Sequence, residues 1–194
     1  MTKKNPLATI YMANGRKIVI ELLPEAAPNT VNSFIYVASH GWMDHHVIQR
    51  IVPGNWVDVT YTAFHREEAQ YLIPYESDLH PEIEPLDSHL GCVCMGGYGP
   101  AGEAGCEFFF PLRDCPDHKG VYPVFGRVIE GMDEILRLEK VPTRKVTTYP
   151  DPAIEVNEPL TPEIMEHVEL ELYGQTYPEP VRMEKQELPE CWKE

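Results

Sequence analysis

The chain has 194 residues, 43% of them hydrophobic, with 31 acidic against 16 basic residues and a formal net charge of −15. That size and apolar content suit one domain with a sizeable core. The acidic balance excludes a nucleic-acid binder, which needs a basic face, and an anionic membrane surface as a partner.

Residues 1–8 are polar, with no apolar stretch and no small-residue cleavage site, so they do not read as a secretory signal. No apolar run reaches the ~18 residues of a spanning helix. Ala8-Thr9-Ile10-Tyr11-Met12 and Lys17-Ile18-Val19-Ile20-Glu21-Leu22 are strand-like, and Asn14-Gly15 between them predicts a hairpin. After Pro24 to Pro28, Asn29 or Thr30 caps a predicted helix to Ser39, with Val31, Phe34, Ile35 and Ala38 on one face and Gly41 ending it. Residues 45–105 are short apolar pieces broken by Pro and Gly, as in strands and loops. Residues 122–129 are β-rich, and Glu130-Gly131-Met132-Asp133 opens a second helix with Ile135, Leu136 and Leu138 inside. From Pro150 onward the chain holds 12 acidic and 3 basic residues, a net of −9, and seven of the 19 prolines. Glu166 to Tyr173 alternates polar with apolar, the period of a last half-buried strand. We therefore expect a β-rich domain over residues 1–174. An acidic, Pro-containing extension over residues 175–194 is expected to be loose, or to lie as an arm on the barrel or a partner.

Few motifs carry chemistry on their own. His45 and His46 are adjacent, not at ligand spacing, and read as solvated turn residues. Cys92-Val93-Cys94 sends two thiols to one side of a strand, where small core residues are the expectation. Five cysteines form no even framework and suit a reduced, cytoplasmic protein. No Gly-x-Ser-x-Gly elbow, Walker loop or dinucleotide fingerprint is present. Gly96 to Gly102 reads as a long exposed loop, because a strand-like Phe108-Phe109-Phe110 follows where a phosphate cradle needs a helix. No metal site is expected.

Three segments in order resemble the cyclophilins, the peptidyl-prolyl cis–trans isomerases. The first runs from Ile18 to Leu22 and through Pro24-Glu25-Ala26-Ala27-Pro28-Asn29-Thr30-Val31-Asn32-Ser33-Phe34-Ile35. The second is Gln49-Arg50-Ile51-Val52-Pro53-Gly54, similar to the family's Phe-His-Arg-Val-Ile-Pro-Gly with Ile48-Gln49 in place of Phe-His. The third comprises Met95 to Pro100, Gly105-Cys106-Glu107-Phe108-Phe109, and Val124-Phe125-Gly126-Arg127-Val128-Ile129-Glu130-Gly131-Met132-Asp133. The resemblance covers roughly residues 8–173. It implies a mainly β protein, a closed eight-stranded antiparallel barrel capped by two α-helices, acting on proline-containing polypeptides during folding without a cofactor. Arg50 takes the position of the catalytic arginine, Phe109 that of the slot's phenylalanine, and Tyr122 a position held by His or Tyr.

The resemblance also marks departures. The family's slot phenylalanine becomes Asn55, unless a one-residue slip lets Trp56 replace it, and the glutamine that positions the arginine becomes Asp58. The Ala-Asn pair that binds the peptide backbone becomes Gly96 and Gly97. The glutamine before Phe-Phe becomes Glu107, and an apolar wall position becomes His118. A wetter slot predicts weak cyclosporin binding. Two functions follow: an isomerase in which Arg50 polarises the prolyl amide, or a binding module with weak or no turnover. Asp58 tying up Arg50 favours the second; Trp56 or Tyr61 filling the slot favours the first.

Overall fold

The computed structural model describes residues 4–59, 66–146 and 153–192. Strands β1 (Leu7–Met12) and β2 (Lys17–Leu22) form the expected hairpin. Helix α1 (Pro28–Ser39) leads to three short strands, β3 (His46–Val47), β4 (Arg50–Val52) and β5 (Trp56–Asp58). Then come β6 (Leu72–Ile73), the one-turn helix α2 (Glu76–Leu79), and the long pair β7 (Cys92–Gly97) and β8 (Glu103–Pro111). The order ends with β9 (Val124–Glu130), α3 (Met132–Leu138), a small ribbon of β10 (Thr143–Lys145) with β11 (Asn157–Pro159), and β12 (Ile164–Glu171).

One curled antiparallel sheet dominates, in the order β3-β12-β1-β2-β9-β7-β8-β5-β4, with β6 added on β8. Its concave side wraps a core in which Phe34 of α1 meets Phe108 and Phe125, each at 5.3 Å between ring centroids. The mainly β expectation holds. The sheet has ten strands, not eight, and three α-helices lie among the described residues, not two. Nor is the barrel fully hydrogen-bonded: among the described residues no ladder joins β3 to β4. These two end strands follow one another in the chain, separated only by Ile48 and Gln49, so the sheet edges meet through covalent backbone.

Several local expectations are corrected. The residue preceding α1 is Ala27, with Pro28 in the first turn and no side-chain cap. The Thr30 N–H and hydroxyl bond instead to Glu76 of α2, at 2.6 and 2.8 Å, so the cap comes from another element. Leu136 is 37% exposed, whereas Ile135 and Leu138 are buried. His46 is buried, its Nε2 2.7 Å from the Val59 carbonyl; His45 is exposed and pairs with Glu166. Gly96 and Gly97 belong to β7, not to a loop. The reading of Cys92 and Cys94 as small core residues holds: all five cysteines are free and buried. The last strand pairs with β1 across Leu7 to Met12.

Candidate active site

Alternation along three strands builds the site. On β4 and β5, Ile51 and Val57 are fully buried in the core, so their neighbours Arg50, Trp56 and Asp58 face the other side. On β8, Phe108 and Phe110 point into the core, which sends Glu107 and Phe109 outward. Pairing registers place Arg50 opposite Asp58, Asp58 opposite Phe109, and Phe109 opposite Cys94. One row of side chains thus crosses four strands on the face away from the core.

The β4–β5 turn makes this register possible. Asn55 N–H closes on the Val52 carbonyl at 2.9 Å, with Pro53 and Gly54 between them and Gly54 at φ +74°. Proline then a residue at positive φ is a type II turn, which favours glycine at its third position. A tight turn of fixed length sets Arg50 directly across from Asp58.

These side chains line a half-open cavity of about 220 Å³ with Gly96, Gly97, Tyr98, Glu107, His118, Tyr122 and Ile154. At one end lie four aromatic rings. Phe109 contacts Trp56, His118 and Tyr122 edge-on, with centroids 5.6 to 6.3 Å apart. Cys92, Cys94 and Val124 pack behind them as a small separate apolar cluster. Burial holds the His118 imidazole pKa below its ordinary value, favouring the neutral ring. The Trp56 Nε1 and His118 Nδ1 are buried with no hydrogen-bond partner among the described residues.

Arg50 is held on two sides. Its Nε donates to the Glu155 carbonyl at 2.7 Å, and its Nη1 to Asp58 Oδ2 at 3.0 Å. The guanidinium also lies over the Trp56 ring, 5.3 Å from its centroid. Both ion-pair partners keep only about an eighth of their side-chain surface in solvent (14% and 13%). Such a pair fixes orientation strongly.

Of the residues expected at the site, Arg50, Trp56, Asp58, Gly96, Gly97, Glu107, Phe109, His118 and Tyr122 line one cavity. Asn55 does not; its Oδ1 accepts from Arg113 Nε at 3.0 Å. Trp56 occupies the aromatic end instead, while Tyr61 lies outside the described residues. Tyr98 and Ile154 were not anticipated. Tyr98 directly follows the glycine pair, and an aromatic among glycines is a signal that could have found it. Gly97 needs its missing side chain: a Cβ there would stand 2.8 Å from the Tyr75 hydroxyl and 3.0 Å from the Val121 carbonyl. Among the described residues no cluster of three or more metal-ligating side chains occurs.

Residues 7–159 match the family model of the cyclophilin type peptidyl-prolyl cis-trans isomerase/CLD. Peptidyl-prolyl cis-trans isomerase-like 1 of Neurospora crassa is 32% identical over 129 residues, covering 65% of this chain and 77% of that protein. Peptidyl-prolyl cis-trans isomerase B of Bacillus subtilis is 30% identical, covering 63% of this chain and 82% of that one. A peptidyl-prolyl cis-trans isomerase of Arabidopsis thaliana is 29% identical over 77% of this chain, but this chain spans only 32% of its length. It spans 25% of an isomerase-like 2 protein of Cryptococcus neoformans. The crystal structure of a Cryptosporidium parvum cyclophilin, determined in the presence of the dipeptide Ala-Pro, superposes with a TM-score of 0.64 at 17% identity. It covers 84% of this chain and 96% of that one.

Proposed function

The chain belongs to the cyclophilin-type peptidyl-prolyl cis–trans isomerases, and on that premise we propose that it accelerates isomerisation of X–Pro bonds in polypeptides through Arg50 and the aromatic end of its cavity. Rotation about a peptide C–N bond meets a barrier of ~18–20 kcal/mol because of its partial double-bond character. Each ~1.4 kcal/mol removed is tenfold in rate. No nucleophile is required. A donor that binds the twisted amide better than the planar one lowers the barrier, and an apolar slot holds the ring while it turns.

The observation that carries this reading is the double anchoring of Arg50 beside Trp56, at the rim of a slot built from Trp56, Phe109, His118 and Tyr122. A guanidinium carries five N–H donors in a planar fork, enough to be anchored and to reach a substrate at once. Its orientation is settled before substrate arrives, so little reorganisation remains. A peptide carbonyl entering the slot would also satisfy the buried Trp56 N–H, whose burial without a partner otherwise costs about 1–3 kcal/mol.

One observation favours a second reading, a module that holds Pro-containing segments with little turnover. The Asp58 carboxylate sits directly across the strand pair from Arg50 and offsets its charge. Exchange NMR on a short X–Pro peptide separates the two. The isomerase reading expects acceleration by the wild type that Arg50→Ala removes with the fold intact. Equal acceleration by both proteins refutes the role of Arg50; none from either leaves the binding module.

A further inference from the structure

Residues 181–192 pack behind the cavity, against residues that line it. Val181 brackets the Asn29 side chain, its N–H donating to Oδ1 at 2.7 Å and its carbonyl accepting from Nδ2 at 3.0 Å. The Arg182 guanidinium lies 3.9 Å from the Tyr71 ring centroid. Both backbone groups of Leu72 on β6 bond to this segment: the carbonyl to Met183 N–H at 2.9 Å, the N–H to Gln186 Oε1 at 2.7 Å. Residues 181–192 therefore form an arm that runs beside a short strand and supplies partners its backbone otherwise lacks.

The arm ends in a turn, Glu190–Trp192, whose Cys191 and Trp192 are buried. Trp192 is 3% exposed; its carbonyl accepts from Gln70 Nε2 at 3.2 Å. Its indole Nε1 donates to Glu107 Oε1 at 3.0 Å. The other oxygen of the same carboxylate accepts from the Tyr98 hydroxyl, and the Tyr98 and Trp192 rings meet edge-on at 5.5 Å. Glu107 and Tyr98 both line the cavity. An indole N–H is only a donor, so the carboxylate of Glu107 is the natural acceptor.

We propose that the arm backs one wall of the peptide site and that Trp192 is a positioning residue, which from behind that wall clamps Glu107 together with Tyr98. The inference rests on the isomerase-site reading. Glu107 and Phe109 are two residues apart on one face of β8, a spacing of ~7 Å, which is the reach of about two extended peptide residues. With proline against Phe109, a neighbouring residue of the same polypeptide meets the clamped carboxylate. Without the Trp192 donor, a carboxylate only 6% exposed loses a fixed partner, and that end of the groove loses its shape.

The three tryptophans, Trp42, Trp56 and Trp192, give a direct test on the full chain. Each contributes one indole N–H signal to a nitrogen–proton correlation spectrum. Titration with acetyl-Ala-Ala-Pro-Ala-amide is expected to move the Trp56 and Trp192 signals and leave Trp42 in place. Trp192→Phe keeps a buried ring and removes the donor. It is expected to raise KM for this tetrapeptide about tenfold, more than for acetyl-Ala-Pro-amide and with the change in KM exceeding that in kcat. Glu107→Leu, which removes the acceptor shared by Trp192 and Tyr98, should reproduce the shift in KM and keeps the test open if the phenylalanine variant folds poorly. Movement of Trp56 with a static Trp192, or equal effects on both peptides, overturns the role of the arm. If neither signal moves, the peptide site itself is wrong and the inference falls with it.

Discussion

Replacing Glu103 by Gln should stabilise this protein at pH 8 and leave it unchanged near pH 5. Glu103 is fully buried, on β8. Its Oε1 accepts from the Glu76 backbone N–H at 3.1 Å, and its Oε2 lies 3.0 Å from the Thr30 hydroxyl. The same hydroxyl lies 2.8 Å from Glu76 Oε1. A hydroxyl has one proton and two carboxylates ask for it. Both contacts are hydrogen bonds only if one acid keeps its own proton and donates it to the Thr30 oxygen. Burial, with the nearby Glu76 charge adding to it, pushes the Glu103 carboxyl up to about 8, and burial raises Glu76 as well.

The sign follows from linkage. Between an unfolded value of 4.5 and a folded value of about 8, the native state holds a proton that the unfolded chain has released. Stability is therefore complete below pH 4.5 and falls as pH rises through 8, at up to about 1.4 kcal/mol per pH unit. The whole window is worth about 5 kcal/mol, a large part of a typical folding free energy. A glutamine side chain in this place would keep an acceptor for the Glu76 N–H and present a permanent donor to Thr30. Urea unfolding at pH 5, 6.5 and 8 measures the effect. The wild type is expected to lose stability across that range, and Glu103→Gln to lose several kcal/mol less. Parallel curves for the two proteins, or a variant weaker at pH 8, would refute the shared proton.

Three further outcomes follow from the site. Asp58→Gln keeps a hydrogen-bonding group opposite Arg50 but removes the charge, and should raise kcat/KM on X–Pro peptides about threefold to tenfold; a fall would show that the carboxylate takes part in turnover. His118→Leu makes the slot apolar and should lower KM for the same peptides several-fold, measured by exchange NMR. Because burial holds the His118 pKa below 6.5, kcat/KM should stay level as pH falls to 6.5 and drop only below it, and His118→Leu should erase that acid limb.

The residues that make the slot were legible because the signals are local. Arg50 sits three positions before a Pro-Gly turn, and the run Phe108-Phe109-Phe110 on a strand has to alternate between faces. The hairpin at Asn14-Gly15 and the amphipathic α1 are legible for the same reason. The residues that failed to announce themselves act over long separations. Glu76 caps a helix 46 residues upstream, and Trp192 bonds to Glu107 85 residues away. No periodicity encodes such pairs. Asn55 shows a subtler limit, since motif alignment gives its position but not the direction of its side chain. The tight turn after β4 rotates Trp56 into the slot and leaves Asn55 with Arg113.

Buried charge ties these observations together. Glu76, Glu103, Glu107 and Glu134 are all 8% exposed or less, in a chain already carrying a net charge of −15. Burying an unpaired carboxylate is expensive, so each needs donors. Glu134 takes Asn14 and Arg137. Glu76 takes the start of α1, and Glu103 takes α2 and Thr30. Glu107 takes Tyr98 and Trp192, both from outside its strand, and Trp192 lies near the end of the sequence. A glutamine at position 107 would bring its own donors and have less need of that tether. The acid at 107 and the arm that holds it are thus one substitution in physical terms: a chain that places a carboxylate in this wall also requires an ordered segment to donate to it. Deleting residues 181–194 should accordingly weaken the wild type more than a Glu107→Gln background, and a double-mutant cycle on unfolding free energy measures the coupling directly. Additive effects would show the acid at 107 and the arm to be independent features.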